Sequence, residues 1–268
     1  MKTIKFKYIY VAVALVVLGS CSEDFVTTNP EGKFDTSTYF SNEQQCYAAL
    51  VGVYDPLRKN TGGFENLVAL LNAGSDDFYA GGGSSTDGNG IQNFSTHSLT
   101  SISIPSSYWD DHYQGVYRAN VLLENLDKVN WGSNTALKTR YEAEARFLRA
   151  HFHFQAAKMF GDIVPLDHTV TTSEFELPRQ APEVTYALIA NDLKFAADNL
   201  GPENYSQAGN ANYGRITKWA AEAYLARTFL FYTGAYSKPD LAGVVSKAEV
   251  TTYINDAVNN SGHGLVAD

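Results

Sequence analysis

Adjacent carboxylates at Asp76–Asp77 and Asp110–Asp111 are the first residues whose types could do chemistry, as general acid and base on a glycosidic bond. That reaction needs two carboxyls flanking one bond about 5–9.5 Å apart, and successive side chains do not converge in that way. His151 and His153 lie two positions apart; on a helix they point about 200° from one another and cannot share a metal ion. Asp87-Gly88-Asn89-Gly90 opens like a calcium loop but lacks the later ligands and the terminal Glu. No Gly-x-Ser-x-Gly, His-Glu-x-x-His, phosphate-binding glycine loop or Cys-x-x-Cys occurs. The residues predict a chain that is not an enzyme, with no cofactor and no metal site.

The elements that must position any site are helices. Leu137, Tyr141, Ala145, Leu148, Phe152, Ala156 and Met159 fall at spacings of 4, 4, 3, 4, 4 and 3, one apolar stripe. Phe147 and Phe154 make a second stripe about 100° round from Leu148, so this helix must pack on both sides. Ser133 or Asn134 can cap its start, and Gly161 with Pro165 ends it.

A first helix is expected from Ser41 to Asp55, with the capping pattern Ser41-Asn42-Glu43-Gln44 and Cys46 as a buried, unreactive thiol. The apolar segment Leu67–Leu71 leads into Ser75-Asp76-Asp77-Phe78-Tyr79. Residues 80–90 read as flexible loop, and 91–106, rich in Ser and Thr, as loop with a possible short strand.

A second helix covers Ser107–Val129, with Trp109, Tyr113, Val116, Tyr117, Asn120 and Leu123 on one face. Asn120 there must bond a loop backbone or cost about 1–3 kcal/mol. After a long connection, Asp162–Arg179, come two helical stripes. One is Tyr186, Ile189, Leu193, Ala196, Ala197 and Leu200; the other is Ile216, Ala220, Ala223, Arg227, Leu230 and Phe231. A last helix spans Lys247–Asn260. Ala145, Phe147, Phe152 and Phe154 align with Ala223, Leu225, Leu230 and Tyr232, a weak repeat suited to tetratricopeptide-like helix pairs. The fold class expected is all-α, helix pairs with long irregular loops.

The N-terminus is a different kind of segment. Lys2, Lys5 and Lys7 precede an apolar run, Tyr8–Leu18, too short for the roughly 20 residues of a bilayer span. Leu18-Gly19-Ser20-Cys21 follows, and residues 1–20 resemble a bacterial lipoprotein signal peptide. Cleavage would leave Cys21 acylated and the chain anchored to a membrane by lipid, with 21–40 as tether and 41–268 as the helical domain. With Cys21 lipidated, Cys46 has no disulfide partner. Of 20 basic and 29 acidic side chains, cleavage removes three lysines, leaving 17 against 29 and a net charge of −12. That sign disfavours nucleic acid, whose phosphates require clustered Lys and Arg.

Glu144-Ala145-Arg146-Phe147-Leu148-Arg149-Ala150, the exit Phe160-Gly161-Asp162-Ile163-Val164-Pro165-Leu166, Trp109-x-x-x-Tyr113 with Asn120, and Gly214-Arg215-Ile216-Thr217-Lys218-Trp219-Ala220-Ala221 carry a resemblance. Together they are similar to the SusD/RagB family of outer-membrane nutrient-binding lipoproteins. Family members continue past Gly262-His263-Gly264-Leu265, so the resemblance is to the N-terminal half and implies a truncated chain. It further implies a lipid-anchored protein of the cell outer membrane, facing the exterior; Ser22-Glu23-Asp24 resembles the acidic tag of such lipoproteins.

Its function would be to bind oligosaccharide glycans and deliver them to a SusC-like TonB-dependent transporter for nutrient uptake. Sugar rings are held by aromatic faces and their hydroxyls by polar side chains, which here points to Asp76, Asp77, Tyr79, Asn93 and Phe94 in the long loop. The alternative is a non-catalytic tetratricopeptide-like protein-interaction module of an outer-membrane complex.

Overall fold

Apolar residues at three- and four-residue spacing turn nearly every long segment of this chain into helix. The computed structural model describes residues 36–60, 66–84, 86–203 and 212–264; the signal peptide, Cys21 and the tether as far as residue 35 lie outside the described residues. The chain divides into two units, Met1–Tyr39 and Phe40–Asp268. In the first, only the single helical turn Thr36–Tyr39 is described. The second holds α1 (Glu43–Tyr54), α2 (Leu67–Ala73), α3 (Asn89–Ser95), α4 (Ser106–Asn125), α5 (Thr135–Phe160), α6 (Pro182–Asn199), α7 (Lys218–Tyr236) and α8 (Lys247–Asn260). Among the described residues there is no strand, only an isolated antiparallel bridge between Leu241 and Val245. The expected all-α class holds.

The central helix α5 packs against α4 on one side and α6 on the other, as its two stripes require, with α7 on α6, α8 on α7 and α1 across α4 and α5. Tyr141, Ala145, Leu148, Phe152 and Ala156 of the first stripe and Phe147 and Phe154 of the second are all buried. Asn134 makes no side-chain cap; its amide instead donates to Glu43 Oε1 on α1 at 2.7 Å. The cap of α1 falls to Asn42, whose side chain accepts from the Gln45 amide at 3.0 Å.

Three expectations are corrected. Residues 91–106 hold no strand: α3 forms there because Ile91 and Phe94, one turn apart, drop onto Leu70, Ala73 and Tyr108. Gly88, at φ +69°, supplies the left-handed turn that starts it. In α4 the expected face is buried at Val116 and Asn120 but exposed at Tyr117, and the buried surface extends round the helix to Tyr108, His112, Gly115, Ala119 and Leu122. The reason is close approach: a Cβ on Gly115 would lie 2.4 Å from the Phe152 ring, so only glycine admits α5 at that crossing. In α7 the expected stripe is the outer side, with Ala223, Arg227, Leu230 and Phe231 exposed and Leu230 70% so. That helix is apolar nearly all round, and its buried side is chosen by partners, as where Tyr232 meets Tyr186 with ring centroids 4.7 Å apart.

Candidate functional site

The loop between α2 and α4 rests on a small core of its own. Leu70, Ala73, Ile91 and Tyr108 are buried together, with Leu67, Phe94 and the α5 residues Met159 and Phe160 packed against them. This ties the loop to the C-terminal end of the central helix. Trp109 adds to the join, stacked on Tyr113 at 4.3 Å and edge-on to Phe160 at 5.1 Å.

Backbone groups of the glycine-rich stretch are gathered by one side chain. Gln92 Nε2 donates to the carbonyls of Gly81 (3.2 Å), Ser84 (3.0 Å) and Asp87 (2.5 Å). Asp87 Oδ2 accepts from the Gly83 amide at 3.0 Å, so the half calcium loop is spent on the turn into α3. Among the described residues no group of three or more His, Cys, Asp or Glu is placed to hold a metal ion.

A groove of about 480 Å³ opens on this loop, lined by Leu71, Gly74, Phe94, His97 and Leu99. Phe94 packs closely on Gly74 in this lining; a Cβ on Gly74 would lie 2.6 Å from that ring. Exposed apolar side chains run through the same stretch of sequence: Leu71, Phe78, Tyr79, Ile102 and Ile104, with Tyr79 88% and Ile102 95% exposed.

Of the five residues the sequence singles out, Phe94 alone lines the groove. Asp76, Asp77 and Tyr79 stand exposed in the chain that leaves α2. Asn93 is half-buried, its Oδ1 accepting from Ser98 Oγ at 3.3 Å. Leu71, His97 and Leu99 escape sequence reasoning. Their one signal is position: His97 follows Phe94 by three residues just past the end of α3, where φ turns to +53°.

The motif residues, by contrast, are occupied in the scaffold. Arg149 reaches Asp192 of α6 with Nε (2.7 Å) and Nη2 (2.8 Å), while Nη1 donates to Asn120 Oδ1 and to the Asp167 carbonyl, both at 2.8 Å. Asn120 in turn donates to the carbonyls of Leu166 (3.1 Å) and His168 (2.7 Å), the loop-backbone bonds expected of it. Tyr113 OH donates to the Val164 carbonyl and accepts from the Val164 amide, pinning the same exit segment. Glu144, fully buried, accepts from Tyr54 OH (2.6 Å), Arg140 Nε (3.0 Å) and Arg215 Nε (3.1 Å), joining α1, α5 and the approach to α7.

The two histidines of α5 serve different neighbours. His153 Nε2 accepts from the Leu166 amide at 3.1 Å, and His151 Nδ1 meets Tyr224 OH at 2.8 Å. Burial drives both imidazoles down to about 3, so each is neutral at physiological pH. Burial likewise pushes the Cys46 thiol up to about 11, which leaves it protonated and inert.

The family model SusD-like_3, described as starch-binding associating with outer membrane, matches residues 33–230. A SusD-like protein of Bacteroides ovatus is 25% identical over 274 residues, covering 98% of this chain and 46% of its own length. The chain thus spans about half the length of the curated relatives it matches. Among solved structures, a laminarin-binding SusD-like protein superposes with a TM-score of 0.72 at 35% identity, over 84% of this chain and 47% of that one. Surface glycan-binding protein A from Bacteroides thetaiotaomicron, solved with laminarihexaose, shares the fold with a TM-score of 0.68 at 19% identity, over 84% of this chain and 45% of that one.

Proposed function

This chain belongs to the SusD-like family, and from that premise we propose that it is a non-catalytic glycan-binding lipoprotein of the outer membrane, holding oligosaccharide on the loop between α2 and α4. The observation that carries the reading is the groove lined by Phe94, with the rings of Phe78 and Tyr79 exposed in the same loop between α2 and α4. Aromatic faces take the C–H surface of a sugar, and the flanking Asp76 and Asp77 are acceptors for its hydroxyls. The 35%-identical structure that binds laminarin supports a polysaccharide as ligand. Captured glycan would pass to a SusC-like TonB-dependent transporter, to which the protein is brought by a lipid on Cys21, facing the cell exterior.

Tyr79→Ala is expected to weaken retention on immobilised laminarin roughly tenfold, the upper end of what one aromatic contact contributes beyond its area. Its thermal midpoint should not move, because the ring is exposed. Phe94→Ala should lower both retention and midpoint, since that ring also packs on the Leu70 core. Undiminished retention in Tyr79→Ala would take the exposed ring out of the site. For the anchor, Cys21→Ala should move the protein from the membrane fraction to the soluble fraction of the cells that make it; continued membrane association would refute lipidation at that residue.

A further inference from the structure

From residue 60 to residue 117 the sequence holds no Lys and no Arg, while Glu65, Asp76, Asp77, Asp87, Asp110 and Asp111 all fall inside that span. These residues make α2, the groove loop, α3 and the first half of α4. Asp76, Asp77, Asp87 and Asp110 are exposed. Arg58-Lys59 and Arg118 bracket the span in sequence, and both guanidinium groups turn to Asp55, at 2.6 and 3.0 Å. On the adjoining end of α5, the Lys158 ammonium lies over the Phe154 ring, 5.0 Å from its centroid. Two imidazoles belong to the span: His97 lines the groove, and burial holds His112 below the usual histidine range and so uncharged.

Taking this loop as the glycan site, as proposed above, we infer that it selects neutral glycans and rejects those bearing carboxylate or sulfate groups. Recognition of a uronate or sulfate uses the planar fork of Arg or the point charge of Lys, and the groove's own span offers neither. An anionic sugar would instead meet Asp76 and Asp77 where the chain leaves α2, and like charges brought together across an interface are repelled. A neutral sugar meets the same carboxylates as hydrogen-bond acceptors for its hydroxyls. The loop's charge pattern therefore acts as a filter laid over an aromatic platform.

The test compares the full chain on a panel of uncharged polysaccharides, laminarin and soluble starch among them, with carboxymethylated derivatives of the same polymers, by affinity electrophoresis. The derivative of whichever neutral polymer is retained should bind on the order of tenfold more weakly at low salt, from one or two contacts near 4 Å in water. The gap should close at about 1 M salt, where screening shortens to roughly 3 Å. Asp76→Asn with Asp77→Asn should narrow it at low salt. Equal retention of neutral and carboxymethylated polymer at low salt overturns the filter and leaves the glycan reading standing. An unchanged gap in the double variant overturns the assignment to these two carboxylates. Retention of neither kind of polymer overturns the glycan reading itself and the filter with it.

Discussion

Arg149→Leu is expected to cost about 3–5 kcal/mol, because it strands the Asp192 carboxylate in the interior. Both side chains are almost wholly buried, and the guanidinium fork is matched to the carboxylate by two bonds. Arg146 Nη1 stands 3.4 Å from Asp192 Oδ1, a longer contact that replaces only part of what is lost. The same substitution removes the donor to Asn120 Oδ1 and to the Asp167 carbonyl, one of several ties on the segment that follows α5. Urea unfolding should therefore show a lower midpoint, and thermal unfolding a drop of roughly 10 °C for a chain of this size. Arg149→Lys should recover little, since an ammonium cannot reproduce the fork. Adding Asp192→Leu to Arg149→Leu should recover much of the loss, because a buried pair replaced by apolar residues is close to neutral where breaking it is not. An Arg149→Leu protein as stable as the parent would mean that the network around Arg149 does not hold the fold together.

The parts of this fold that are legible in the sequence are those where one residue type permits one solution. Asn120 on an apolar face has to find backbone partners, and it finds Leu166 and His168. The doubled apolar stripe of α5 has to be covered twice, and α4 and α6 cover it. The last helix, with Ser246 and Glu249 completing a capping box, runs over the span expected from its pattern.

Illegible were the choices that only a partner makes. Helix α7 offers apolar residues on every side, so burial of Leu225 and Tyr232 in preference to Ala223 and Leu230 depends on Tyr186 and the α6 surface. Helix α3 is hidden by its Ser and Thr neighbours, and forms because a hydrophobic pocket waits for Ile91 and Phe94. The site divides in the same manner. Exposure of Asp76, Asp77 and Tyr79 is compatible with a binding role, while Leu71, His97 and Leu99 become a groove only once α2 and α3 are set side by side. The motifs that reveal the family lie in the scaffold at Glu144, Arg149 and Arg215, which is why they identify the fold and are silent on the ligand.

Glu222→Gln is expected to leave stability near pH 4.5 almost unchanged and to raise it at pH 8 by roughly 3 kcal/mol, since each tenfold change in a carboxyl's proton affinity on folding is worth about 1.4 kcal/mol. Glu222 is buried where α8 meets α7, facing Lys218 at 3.5 Å and Asp256 of α8, which itself pairs with Lys218 at 2.5 Å and accepts from Asn260 at 2.6 Å. Burial above all, and then the Asp256 charge, raise the Glu222 carboxyl to about 7 from 4.5, against the pull of Lys218. Between those two values the folded chain keeps a proton that the unfolded chain has released. Stability therefore falls as pH rises through this window, and the loss is complete above pH 7.

Glutamine is neutral throughout and can still donate to Asp256 and accept from Lys218, so the variant lacks the descent. Buried His151 and His153 work in the opposite direction, losing stability as pH drops from 6.5 toward 3, so the parent curve alone mixes both effects. The difference between parent and variant isolates Glu222. Denaturant unfolding at half-unit steps from pH 4.5 to 8 measures it, and a difference that stays flat across that range would show that Glu222 is already ionised in the folded protein.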